Sequence, residues 1–199
     1  MVNTGGTRFT HAIAAFDAAN SEDPNREVQD GVEQPKELAY ARLMSVWLDR
    51  LAPHASEALR LAARAQHIRR WTIPRSEYAM DRAGYLLWRT ALAKFHAEAA
   101  GEILRESGYD EETIRRVGSL IRKERLKLDP EAQLLEDVAC LVFLENYFAD
   151  FASHRDEPQV VDIVRKTWKK MSERGHAAAL ALPLAPHTRA LVEKALKSF

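Results

Sequence analysis

Apolar residues in this chain recur at three- and four-residue spacing almost from end to end. No run of alternating β-branched residues is long enough to set up a strand. Phe9, Ile13 and Phe16 fall at i, i+4 and i+7, with Thr7 placed to cap a first helix. A polar stretch about 20–35, containing Asp23-Pro24-Asn25 and Gly31, reads as a long loop. Helices are predicted after Pro35 as far as Pro53, from Ala55 to about Arg70, and from about Asp81 to Ser107 with Gly108 as the stop. Others are opened by Asp110 and by Asp129-Pro130 (to about Ser153), cover Val160 to Met171, and close the chain about 187–199. No heptad is sustained, so the spacing predicts one all-α domain over 1–199, a compact bundle and not a coiled coil.

Charge narrows the function classes. The 199 residues carry 29 Lys+Arg and 29 Asp+Glu, a net charge of zero that excludes coating nucleic acid by bulk charge. The N-terminus lacks the apolar core of a secretory signal, and the longest apolar passage, Val138 to Leu144, falls far short of the ~18 residues of a membrane span. Cys140 is the only cysteine, so no intrachain disulfide forms, and its apolar setting reads as a small buried hydrophobe. A cytoplasmic protein with no membrane partner is expected.

Polar groups on apolar helix faces are the sharpest candidates for a site. On the fourth predicted helix His96 falls within the stripe of Trp88, Leu92, Ala99, Ala100 and Ile103, and Arg89 lies two turns before it on the same side. On the sixth, Asp137 falls among Leu134, Val138, Leu141, Leu144 and Phe148. A buried carboxylate is costly unless paired, hydrogen-bonded or on a metal, so Asp137 needs a partner, and His96 and Arg89 are the candidates. A structural ion pair and a metal or ligand site are both open.

On the third predicted helix His67 points away from the apolar stripe, in line with Arg60, Arg64 and Trp71. That face is either solvated or the wall of a cleft, with arginines stacked on Trp71. The stretch Arg60 to Lys94 is rich in arginine, and the segment before it is acidic: Asp17, Glu22, Asp23, Glu27, Asp30 and Glu33. Either the acidic segment folds over the basic one, or the arginines recognise phosphate or carboxylate. Arg64, Arg75, Arg89 and Lys123 are the ligand-binding candidates.

There is no Gly-rich phosphate loop, no Cys-pair zinc motif and no H-E-x-x-H. Lys170-Met171-Ser172 is similar to the lysine-methionine-serine loop of class I aminoacyl-tRNA synthetases, but the chain has no H-I-G-H string and no strands for a nucleotide-binding domain, which argues against a synthetase.

Several strings together resemble one family. They are Arg64-Ala-Gln66-His67-Ile-Arg69-Arg70-Trp71, Pro74-Arg75, Gly84-Tyr85-Leu-Leu-Trp88-Arg89 and Phe95-His96-Ala-Glu98. They continue with Leu135-Glu136-Asp137-Val-Ala-Cys140-Leu-Val-Phe143-Leu-Glu145 and Trp168-Lys-Lys-Met171-Ser172-Glu-Arg174-Gly175. The likeness is to an uncharacterised bacterial and plant family, catalogued as a domain of unknown function and sometimes mislabelled glutamyl-tRNA synthetase. It covers nearly the whole chain. The order of His67, a helix carrying His96, and Asp137 on a late helix is also similar to HD-domain phosphohydrolases. That resemblance implies an all-α fold, a divalent metal held by histidines and aspartates, and cleavage of phosphate esters. His67 matches its first histidine and Asp137 its last aspartate. The adjacent His-Asp pair would fall near Trp88-Arg89 and is absent, and aligning His96-Ala97 there leaves the aspartate missing.

Two functions are therefore expected. In the first, an HD-like domain with a modified site binds an anionic, phosphate-bearing ligand such as a nucleotide, with RNA also open and catalysis not required. In the alternative, His67, His96 and Asp137 hold one divalent metal ion that polarises a phosphoryl oxygen and activates water. Glu136 or Glu98 would then move the proton.

Overall fold

The computed structural model describes residues 4–29 and 31–197, so Asp30 of the acidic segment and the last two residues of the final predicted helix lie outside the described residues. The architecture is all-α, apart from one small hairpin, in the order the spacing predicts. It divides into two compact units, Met1–Arg125 and Leu126–Phe199.

The first unit holds α1 (Thr4–Ser21), β1 (Arg26–Gln29), β2 (Val32–Pro35), α2 (Lys36–Leu51), α3 (Glu57–Ala65), α4 (Arg82–Glu106) and α5 (Glu111–Ile121), with 3-10 turns at Arg70–Thr72 and Arg75–Glu77. Its core joins Phe16 of α1, Met44 and Leu48 of α2, Leu59 and Leu61 of α3, Leu104 of α4, and Val117 and Leu120 of α5, all essentially without exposure. Each such side chain contributes about 1.5–3 kcal/mol by leaving water. Helix starts follow the cap chemistry: Ser56 accepts from Leu59 N, Asp81 from Gly84 N and Asp110 from Thr113 N. Thr7 is no cap, because α1 begins at Thr4 and Thr7 lies inside it.

The second unit holds α6 (Pro130–Val142), a π-helical turn (Phe143–Tyr147), α7 (Phe148–Ser153), α8 (Glu157–Trp168), α9 (Glu173–Leu180) and α10 (Pro186–Leu196). Asp129 caps α6 with Pro130 in its first turn, and Leu135, Leu141, Phe148, Val160, Val164 and Ala195 fill the interior. The helix expected from Asp129-Pro130 to Ser153 is thus one rod interrupted by a π turn.

Three expectations are corrected. The loop about 20–35 contains the β1–β2 hairpin, with Arg26 opposite Pro35 and Gln29 opposite Val32. Its four-residue strands are too short to register as a period, although Asp30-Gly31 is a hairpin dipeptide and Gly31 takes φ +78°. The third helix stops at Ala65 instead of Arg70, because Arg69 turns left-handed (φ +49°) and Asn20 Oδ1 receives its N–H at 3.0 Å. Helix α9 was not foreseen, since its Ala-rich sequence carries no apolar stripe, but Ser172 caps it.

Candidate functional site

The site is built on the first turn of α2. Asp23, buried at the end of the segment after α1, accepts the Glu37 N–H at 3.0 Å and the Asn25 N–H at 2.9 Å. It acts as the cap that Pro35 cannot supply. Helical spacing then puts Glu37 on the inward face with Ala41, Met44 and Leu48. The Glu37 carboxylate lies 3.3 Å from His67 Nδ1 and 3.7 Å from Arg70 Nε. Burial outweighs the pull of Arg70 and pushes the Glu37 carboxyl up to about 7. The His67 ring stacks on Tyr40 at 4.1 Å. Burial, reinforced by Arg70, Arg89 and Lys123, holds that imidazole well below the usual histidine range, so it is neutral at physiological pH.

His96, in the middle of α4, is 3% exposed. Its Nδ1 lies 2.7 Å from the carbonyl of Ile68, an acceptor only, so Nδ1 carries the proton and Nε2 is a bare lone pair. Nε2 is buried and finds no hydrogen-bond partner among the described residues. Burial first, then the neighbouring His67, lowers this imidazole to about 3. The two histidine rings are 5.9 Å apart.

Both histidines line a cleft of about 550 Å³ formed by the turn after α3, by α4 and by the end of α5. Arg70, Arg89, Lys94, Arg122 and Lys123 line it too, against the single carboxylate of Glu124. Arg122 pairs with Glu124 at 2.6 Å and Lys94 with Glu98 at 3.8 Å. Arg89 is exposed, and its side chain makes no ion pair among the described residues. Three non-glycine residues are left-handed among the described residues: Arg69 next to Arg70, Lys123 on the cleft wall, and Arg125 two residues on. Such conformations cost of order 1 kcal/mol each and concentrate at functional sites.

Of the four candidate ligand-binding residues, Arg89 and Lys123 line this cleft. Arg64 is engaged elsewhere, in a bidentate pair with Asp17 at 2.6 Å for each bond. Arg75 donates to the carbonyls of Tyr78, Ala79 and Asp81 and so organises the loop before α4. The acidic segment does fold partly over the basic one, through Asp17 with Arg64 and Glu22 with Arg69. The expected stacking on Trp71 is corrected: Arg70 lies over Trp88 at 4.8 Å, and the Trp88 indole N–H donates to Ile73.

Asp137 and Glu136 belong to the second unit. Asp137 is 1% exposed and is satisfied there: Oδ1 accepts from Ser172 N (2.8 Å) and Gln133 Nε2 (3.1 Å), and Oδ2 from Ser172 Oγ (2.5 Å). The partners a buried Asp137 requires are supplied within its own unit, by Ser172 and Gln133. The synthetase-like Lys170-Met171-Ser172 string therefore serves as the start of α9. Gly175 is required beside it, because a Cβ there would meet Asp137 Oδ1 at 2.7 Å. Glu136 is buried with Lys170 3.8 Å away, whereas Glu98 is exposed. Among the described residues no group of three or more His, Cys, Asp or Glu is placed to hold a metal ion. Asp137 is committed to the start of α9 through both of its carboxylate oxygens.

Glu37 is the residue that sequence reading missed. The same test that singled out His96 and Asp137 would have found it, since Glu37 stands at i−4, i−7 and i−11 to Ala41, Met44 and Leu48.

The family model described as Domain of unknown function (DUF4202) matches residues 10–192. No curated protein and no solved structure matches the chain significantly. No helix among the described residues is long and apolar enough to cross a membrane.

Proposed function

Given that the chain belongs to the DUF4202 family, we propose that it is an HD-like helical domain whose basic cleft binds an anionic, phosphate-bearing ligand, a nucleotide or a related small molecule, in a cytoplasmic setting. The observation that carries this reading is the cationic lining of one cleft: five Lys and Arg side chains, of which Arg70, Lys94 and Arg122 pair with Glu37, Glu98 and Glu124 while Arg89 makes no ion pair among the described residues. Phosphate is matched by guanidinium donors in fork geometry and by lysine as a point charge. The cleft's two histidines add no positive charge near neutrality, so the attraction comes from its arginines and lysines. The all-α architecture and the sharing of one cleft by His67 and His96 support the HD-like part.

Calorimetric titration of the protein with inorganic phosphate and with AMP tests the reading. Binding that weakens with added salt and is lost in the double variant Arg89→Ala/Lys123→Ala is expected. Undiminished binding in that variant, or none in the parent protein, overturns it. The competing metal-dependent hydrolase draws support from the paired imidazoles and none from Asp137. A stoichiometric divalent metal in the purified protein, lost on His67→Ala, would favour that alternative.

A further inference from the structure

Every cation around this cleft is a hydrogen-bond donor, and a phosphate group satisfies donors. Two groups on the cleft wall demand the opposite. His96 Nε2 is a bare acceptor, its tautomer fixed by the Ile68 carbonyl, and Gln66 Oε1 is a second acceptor. Both are buried, on residues 3% and 6% exposed, and neither has a partner among the described residues. Buried acceptors left without a donor are uncommon and costly, and two on one cleft wall mark a place where something brings donors. An ammonium group is a poor occupant, because Arg70, Arg89 and Lys123 surround it with like charge. A neutral hydroxyl meets the requirement.

We propose that the cleft selects a hydroxyl-bearing phosphate ester, a sugar phosphate or the ribose-phosphate part of a nucleotide, with His96 Nε2 and Gln66 Oε1 receiving its hydroxyl hydrogens while the arginines and Lys123 hold its phosphate. This rests on the phosphate-binding reading above and deepens it. Phosphate supplies affinity without identity. The two acceptors supply selectivity, because a ligand lacking the hydroxyl leaves them unpaired.

The test is calorimetric titration of the full chain with inorganic phosphate, methyl phosphate, ribose 5-phosphate and AMP. The hydroxylated esters are expected to bind about tenfold or more tighter than methyl phosphate. AMP tighter than ribose 5-phosphate assigns the nucleotide, and equal affinity assigns the sugar phosphate. In His96→Asn the amide nitrogen can still donate to Ile68 while the acceptor is gone, so the preference should collapse with methyl phosphate binding unchanged. Gln66→Met provides a second deletion of an acceptor. In the unaltered protein, the ¹⁵N signal of His96 Nε2 should move with ribose 5-phosphate and stay still with methyl phosphate. Equal affinity for methyl phosphate and the hydroxylated esters, a preference that survives His96→Asn, or a silent ¹⁵N signal overturns the selectivity and leaves the phosphate cleft standing. Failure of all four compounds to bind refutes the cleft itself.

Discussion

Replacing Glu37 by glutamine isolates a single buried proton. The amide and the protonated acid are nearly isosteric, so at pH 4 the variant and the parent protein should have similar stability. Burial raises the carboxyl from 4.5 to about 7. A raised acid is held more tightly by the folded chain than by the unfolded one. Its favourable contribution is therefore complete below about 4.5 and is lost as pH climbs to about 7. A tenfold change in proton affinity is worth about 1.4 kcal/mol, so the loss is roughly 3 kcal/mol. The depressed imidazoles of His67 and His96 run the other way, losing stability as pH falls below the ordinary histidine range; burial and Arg70 depress both, and the substitution removes neither. Urea denaturation of both proteins at pH 4, 5.5, 7 and 8 reads this directly. The parent should lose about 3 kcal/mol relative to Glu37→Gln across that range. A difference flat within about 1 kcal/mol would show that Glu37 is ionised and well solvated, which refutes its placement against His67.

Other positions separate the roles assigned above. Arg89→Ala should leave the thermal midpoint within about 2 °C while weakening phosphate binding by about tenfold, because the side chain is exposed; a large loss of stability would return Arg89 to the buried-pair role. Gly175→Ala forces a Cβ to 2.7 Å from Asp137 Oδ1 and should destabilise by about 2–3 kcal/mol in chemical denaturation. Asp23→Ala removes the acceptor for the Glu37 N–H and should lower stability by about 1 kcal/mol. It should also loosen α2's first turn in amide exchange, whereas unchanged protection there would discount the cap.

Helices were legible where the stripe is long and the stop is chemical: α4 runs Arg82–Glu106 against an expected Asp81 to Ser107, between an Asp cap and Gly108. The hairpin and α9 were not, because four-residue strands and an alanine-rich turn of helix carry almost no periodic signal. The site was half legible. His96, placed by its phase on α4, and Arg89 and Lys123 all reach one cleft. Asp137 was correctly seen as needing a partner, but the partner is a helix start 35 residues on, and no period encodes that pairing. Burial of Glu37 was readable from α2; the turn that brings His67 against it depends on Asn20 receiving the Arg69 N–H, a tertiary contact.

The left-handed backbone at Lys123 carries a further consequence. Glycine would occupy that conformation without penalty and relieve up to about 1 kcal/mol of strain. A lysine kept there trades folding free energy for a charge on the cleft wall. Directed evolution of this chain for heat resistance alone should therefore drift towards glycine at position 123 and weaken the proposed phosphate binding as it does so. Selection for both properties at once would hold the lysine and seek its gains elsewhere.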